Sequence, residues 1–264
     1  MSKLNVVVES KNQLVQYLED GCKPKSSWKI GTEHEKFGFM KSNLKPLPYR
    51  GNCSVLGVLK GLIETFGWKP IKENNLIIGL KKDDANITLE PGGQLELSGG
   101  LLDSVHETCL EVATHLAEVK TIADRIGSGF IGLGSAPEWL HEEMPIMPKD
   151  RYKLMAPYME KVGSHGTKMM FRTCTVQVNL DYSSEPDMVK KMRVGLAIQP
   201  IATALFAASP FFEGKVTGYK SFRSRIWHDT DKSRTGMLPF VFDEGYGFES
   251  WVDYACLLYT SDAA

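Results

Sequence analysis

The sequence predicts an α+β fold, with one substantial antiparallel sheet and helices packed against it. Amphipathic helices and strand-like segments are mixed along the chain, and polar turns as short as Lys81 to Asp84 favour antiparallel pairing. The length of the chain allows one large domain or two small ones, and no internal repeat and no linker rich in glycine, serine or proline interrupts it.

The helices announce themselves by their ends. Ser10-Lys11-Asn12-Gln13 has capping-box form, and Leu14, Tyr17 and Leu18 share a face before Gly21. A second helix is expected from about Ser54 to Phe66, where Val55, Leu59, Leu62 and Phe66 form a stripe that Gly67 ends. The third begins at Ser104 with Glu107 completing a capping box. Its stripe of Val105, Cys109, Val112, Leu116, Val119, Ala123 and Ile126 stops at Gly127. His106 and His115 lie on this helix with nothing ligand-like beside them and read as ordinary helix residues. Ser184-Glu185-Pro186-Asp187 opens a fourth helix, running toward Leu205 with a kink expected near Pro200. Strand-like segments lie near 28–40, 75–80, 86–98, 129–134 and 168–181.

Composition narrows the function classes. Of 264 residues, 42% are hydrophobic and 24% charged, which is the balance of a globular chain rather than a disordered one. The net charge of −1 leaves no basic excess for nucleic acid. No apolar run approaches the roughly 18 residues that a membrane span needs. The apolar patch after Met1 is too short for a signal peptide and the segment lacks transit-peptide character, so a cytosolic protein is expected. The five cysteines show no CxxC pair and read as reduced thiols, most of them buried, with a regulatory disulfide as the lesser reading.

Chemistry enters with the run from Ile87 to Ser98. Side chains alternate faces along a strand. Ile87 and Leu89 point one way, Thr88 and Glu90 the other; after Pro91-Gly92-Gly93, Leu95 and Leu97 face the core and leave Gln94, Glu96 and Ser98 opposite. Such alternation more commonly marks a solvated sheet face. It recurs, however, in Thr173 to Asp181, where Gln177 and Asn179 stand opposite Val176, Val178 and Leu180, and in Gly31 to Phe39, where Glu33 and Glu35 share a side. Clustered carboxylates repel unless cations neutralise them, and hard divalent ions such as Mg²⁺ or Mn²⁺ prefer all-oxygen surroundings. Zinc is not expected without His/Cys ligand spacing. His34, between two proposed ligands, is expected on the opposite face in a structural role.

The stretch Lys220 to Gly236 interleaves Arg223, Arg225, Lys232 and Arg234 with Trp227 and His228, without strand or helix period, and reads as a loop. Basic loops are usually solvated surface. Beside a carboxylate–metal face, its arginines are suited to bind carboxylate or phosphate in a forked geometry. Neither GxxxxGK[ST] nor GxGxxG after a strand is present.

These strings resemble a known family. Gly-Thr-Glu-His-Glu-Lys-Phe-Gly-Phe at 31–39 and Ile-Thr-Leu-Glu-Pro-Gly-Gly-Gln-Leu-Glu-Leu-Ser-Gly at 87–99 are similar to motifs of glutamate–cysteine ligases of the plant and proteobacterial type. The segments 171–182, 199–206 and 226–240 continue the match in order. The resemblance implies a glutamine-synthetase-like fold, in which a curved, mainly antiparallel sheet cups the site. It implies ATP-dependent joining of the L-glutamate γ-carboxylate to the amine of L-cysteine through γ-glutamyl phosphate, the first step of glutathione biosynthesis, by a monomer or homodimer using Mg²⁺ or Mn²⁺. Carried over by position, Glu33, Glu35, Glu90, Glu96 and Gln177 match metal-facing positions. Arg172, Thr173, Arg223, Arg225, Trp227 and Arg234 match substrate-binding motifs, with Arg172 and Arg234 in catalytic roles.

The family continues with a further glutamate-and-arginine motif, whereas here the match breaks after Trp251 to Ala255. Residues 256–264 have no counterpart and read as a truncated reading frame or artefact. A catalytically silent fragment that binds nucleotide, metal or glutamate is therefore the alternative reading.

Overall fold

The computed structural model describes residues 7–262. In chain order the elements are α1 (Lys11–Asp20), β1 (Ile30–Met40), α2 (Val55–Phe66), β2 (Lys69–Glu73), β3 (Leu76–Lys82), β4 (Ala85–Leu89), β5 (Leu95–Ser98), α3 (Val105–Ile126) and β6 (Ser128–Ile131). They continue with α4 (Asp150–Val162), α5 (Gly166–Arg172), β7 (Val176–Leu180), α6 (Glu185–Leu205), β8 (Phe211–Phe212), β9 (Lys215–Val216), α7 (Phe222–Trp227) and α8 (Phe248–Asp262). The chain divides into two compact units. One holds Lys29–Asn179 and Thr203–Thr235; the other holds the residues up to Trp28, Leu180–Ala202 and those from Gly236 onward.

The larger unit carries a sheet ordered β2-β3-β4-β5-β1-β6, with β7 also paired to β1. Every neighbouring pair along that order is antiparallel. This is the α+β arrangement of an antiparallel sheet with flanking helices. Its register sorts the side chains. Leu97 lies opposite both Ile87 and His34, and Leu95 opposite both Leu89 and Lys36, so these residues share one face. The four apolar ones are at most 1% exposed and join Val58, Leu59 and Leu62 of α2 and Val119 and Ile122 of α3 in one core. Glu96 lies opposite both Thr88 and Glu35, which puts the carboxylates on the other face.

The helix ends follow their local chemistry. The Ser54 hydroxyl accepts the Gly57 N–H at 3.1 Å, and α2 stops at Gly67, whose φ of 74° is the left-handed conformation that glycine adopts freely. Ser104 and Glu107 form a reciprocal capping box on α3.

In the smaller unit α1 packs against α8, with Lys11 bridging Glu249 and Asp253. The Lys191 ammonium sits 3.5 Å from the centre of the Trp28 ring. α6 passes through Pro200 without interruption. α8 extends to Asp262, through most of the stretch that the sequence sets apart from residue 256.

Three expectations need correction. Residues 168–172 are not strand: they complete α5, where Met170 and Phe171 enter the core and an apolar run this short suits either period. The stretch 220–236 is not all loop, because Phe222 and Ile226, four apart, anchor the helix α7, with Ile226 fully buried. The cysteines are not mostly buried; of Cys22, Cys53, Cys109 and Cys174, only Cys174 is.

Candidate functional site

The site rests on three adjacent strands. β1 supplies Glu33 and Glu35, β5 supplies Glu96, and Glu90 follows the end of β4. A tight turn connects β4 to β5: the Gly93 N–H donates to the Glu90 carbonyl and the Glu90 N–H to the Gln94 carbonyl, both at 2.9 Å. Gly93 has φ of 84°, and a Cβ on Gly92 would run into the Phe171 carbonyl, so this turn requires its glycines. Gln94, 2% exposed, holds the turn to the end of α5. Its Oε1 accepts the Gly92 N–H and its Nε2 donates to the Thr173 carbonyl, each at 2.9 Å. Alternation placed Gln94 with Glu96 on a polar face; packing makes it a buried brace.

Each carboxylate has a distinct setting. Glu33 Oε1 accepts from Gln177 Nε2 and Asn179 Nδ2, both at 3.0 Å, which ties β7 to β1 through side chains. Glu35 Oε2 accepts the Thr175 N–H at 2.9 Å. Glu96 accepts from the Ser98 hydroxyl at 2.5 Å. Burial, with the charges of Glu90 and Glu96 adding to it, pushes the Glu35 carboxyl up to about 7, despite the Thr175 N–H and the nearby Arg223. Glu90 is raised by burial and then by Glu96, against the pull of Lys149 and Arg151. Glu35, Glu90 and Glu96 thus share one repulsive field that a cation would relieve.

The donor set is all oxygen, the chemistry that hard divalent ions take. Among the described residues, however, no group of three or more His, Cys, Asp or Glu side chains is arranged to hold a metal ion. The residues fit such an ion in donor chemistry, and in this arrangement they do not close round one.

The arginines are less exposed to a ligand than the sequence implies. Arg172 is 1% exposed, donates to the Trp139 carbonyl at 3.0 Å and to Glu213 at 2.8 Å, and stacks 4.3 Å from the Phe212 ring centre. Thr173 is buried, its hydroxyl donating to the Met169 carbonyl at 2.7 Å. Arg223 donates through Nε to the Cys174 carbonyl at 3.0 Å, close enough for its charge to act on Glu35. Arg225 is exposed on α7, and Trp227 is half-buried with its indole N–H unpartnered. Arg234 pairs with Asp231 at 2.6 Å and also meets the Tyr158 hydroxyl. Of this set, the structure brings Arg223 to the carboxylates.

Sequence reasoning missed two cations. Arg151 lies 3.4 Å from Glu90, and Lys149, 8% exposed, acts on the same carboxylate. Their signal was the charged run Lys149-Asp150-Arg151 after Pro148, at the start of a helix that the apolar stripe did not reveal.

One face of the antiparallel sheet thus gathers carboxylates, with the guanidinium groups of Arg223 and Arg151 beside them. The model of glutamate–cysteine ligase family 2 (GCS2) matches residues 29–260, and the chain belongs to that family. It is 58% identical over 246 residues to the protein named glutamate–cysteine ligase A, chloroplastic, of Oryza sativa subsp. japonica, covering 93% of this chain and 49% of that one. To the chloroplastic glutamate–cysteine ligases of Medicago truncatula and Arabidopsis thaliana it is 56% identical over the same 93%, covering 48% and 47% of their lengths. The chain spans about half the length of these curated relatives. Their names also correct the expectation of a cytosolic protein, since they point to the plastid. That expectation rested on the first residues of a chain that covers only part of its relatives.

Proposed function

We propose that this chain is part of an ATP-dependent ligase that joins the γ-carboxylate of L-glutamate to the amine of L-cysteine, acting in the plastid. The observation that carries the reading is the clustered set of half-buried Glu35 and Glu90 with buried Glu96, and Arg223 beside it, in a chain of the glutamate–cysteine ligase family. The γ-phosphoryl group of ATP passes to the glutamate γ-carboxylate, giving γ-glutamyl phosphate and ADP. The cysteine amine attacks the acyl carbon, phosphate leaves with the C–O bonding pair, and the amine gives up a proton as the amide forms. Phosphoryl transfer of this kind depends on positioning and charge neutralisation and needs no protein nucleophile.

In this reading Glu33, Glu35, Glu90, Glu96 and Gln177 would hold Mg²⁺, or Mn²⁺ in its place, once drawn together round it. The ion, when bound, neutralises phosphate charge. Arg223 and the exposed Arg225 bind substrate anions beside Trp227 and Thr173. Arg172 and Arg234 act on developing charge only when a substrate anion displaces Glu213 or Asp231, their present partners. The sheet is proposed to be the curved sheet of a glutamine-synthetase-like fold, with residues 1–255 forming part of one catalytic domain.

The test is ADP release from ATP with magnesium, glutamate and cysteine, using this chain beside a full-length relative. Cysteine-dependent release by the chain supports the ligase reading. The ion pairs of Arg172 with Glu213 and of Arg234 with Asp231 favour a second reading, binding of nucleotide, metal or glutamate without turnover. That reading predicts magnesium-dependent ATP binding with no ADP release beside an active relative. Both readings expect Glu33→Ala with Glu35→Ala to weaken magnesium-dependent ATP binding at least about tenfold; unchanged affinity removes the metal assignment.

A further inference from the structure

On the other face of the same sheet, a cavity of about 330 Å³ lies among the β3–β4 hairpin, Leu97 of β5 and α3. Leu97 points away from Glu96, so this cavity is separated from the carboxylate site by the sheet itself. Its volume is within the range of small-molecule sites.

Its polar lining is incomplete. Glu118 is fully engaged: Oε2 accepts the Trp68 indole N–H at 2.7 Å and Oε1 the Lys82 ammonium at 3.0 Å. Glu111 is half-engaged, with Oε1 accepting the Gly100 N–H at 2.7 Å while its buried Oε2 meets no donor. His115, 3% exposed and lining the cavity, has no partner at either ring nitrogen. Buried polar atoms ordinarily find partners, and here the orphans are grouped on one helix face, four residues apart. Asp83 and Asp84 add negative charge from the hairpin; among the described residues Lys82 is the one cation of the lining, and the Lys36 charge on β1 also acts on His115. Trp68, Leu97 and Leu102 supply an apolar wall.

We propose that this cavity is a second binding site, for a small primary ammonium compound with an apolar body. On binding, Glu111 Oε2 and the unprotonated nitrogen of His115, both covered in the free protein, turn to accept from the ammonium, while the apolar body covers Trp68 and Leu97. The excess of carboxylates disfavours an anionic or amino-acid ligand, which separates this site from the one proposed to take glutamate and ATP. The inference stands on the cavity and does not depend on the ligase reading.

The probe is 2-phenylethylamine, titrated into the purified chain alongside 3-phenylpropionate and 2-phenylethanol, following tryptophan fluorescence and the His115 ring signals by NMR. Saturable binding of the amine alone, with a shift of the His115 signals, is expected. Glu111→Gln keeps an oxygen for the Gly100 N–H and is expected to bind at least about tenfold more weakly. Thr114→Trp, at an exposed position of the lining, is expected to block the cavity while keeping the melting temperature, and it decides the matter if the Glu111 variant does not fold. Absence of saturable binding, equal binding of the acid or alcohol, or wild-type affinity in a folded variant of either residue overturns the proposal.

Discussion

β5 and β7 are written in nearly the same way and live in different surroundings. Leu95-Glu96-Leu97-Ser98 and Val176-Gln177-Val178-Asn179-Leu180 both alternate apolar and polar residues, and both lie in the same sheet. In β5 Leu95 and Leu97 are at most 1% exposed and Glu96 only 8%. In β7 every residue is exposed, Val176 at 70%. The difference lies in what covers each strand. β5 is flanked by β4 and β1, and its apolar face joins the core that α2 and α3 complete. β7 is held to β1 through Glu33 and Thr175, with its valines facing outward. Alternation specifies that a strand has two kinds of face; it does not specify that either face is covered.

The largest effect that would break this contrast concerns the apolar residues themselves. Leu97→Ala removes a buried side chain from the core and enlarges the cavity that it lines, and should cost about 2–5 kcal/mol in denaturant unfolding. A loss below about 1 kcal/mol would mean that β5 is not the packed strand described. Gln94→Ala comes next, because it strips partners from the Gly92 N–H and the Thr173 carbonyl, three residues before β7. A cost of about 1–3 kcal/mol is expected by the same measurement. Hydrogen exchange should quicken at Gly92 as well, and protection equal to the parent's would argue against the brace.

A pH effect sharpens the covered side. Burial, then the charges of Lys36 and His34 on β1, push the His115 imidazole down to about 3; Glu111 and Glu118 on its own helix, Lys82 on β3, and Asp83 and Asp84 of the hairpin turn line the same cavity. The unfolded chain's histidine takes its proton near 6.5, so between 6.5 and 3 the unfolded state binds more protons. This contribution to stability is complete above 6.5 and is lost as pH falls through that window. From pH 7 to 5 the loss is about 2 kcal/mol, and His115→Leu should remove it; an unchanged pH slope in that variant would assign the loss elsewhere. The smallest effect belongs to β7. Val178→Ala should change stability by no more than about 0.5 kcal/mol, and a cost like that of Leu97→Ala would show that β7 is covered in solution.

Much of this was legible in the chain. Ser54, Ser104 with Glu107, Gly67 and Gly127 mark helix ends through bonds and dihedral angles reached within four residues, so no distant partner is needed to read them. The pairing of Glu33 and Glu35 on one side of β1 follows in the same way from the period of a strand. α5 and α7 were not legible, because Met170 and Phe171 adopt helix through the core they enter and Ile226 through its own burial, which no local pattern announces. α4 escaped for want of a continuous apolar stripe; only Tyr152 among its residues is fully buried.

By itself the sequence determined the α+β class, the faces of the strands and the residue types gathered for the site, since each depends on periods and caps spanning a few residues. Only the tertiary structure decided which alternating strand is buried, that Gln94 is a brace, that Arg172 and Arg234 are already paired, and that Lys149 and Arg151 stand beside Glu90. These depend on groups far apart in the chain, and burial and charge act through space rather than along the backbone.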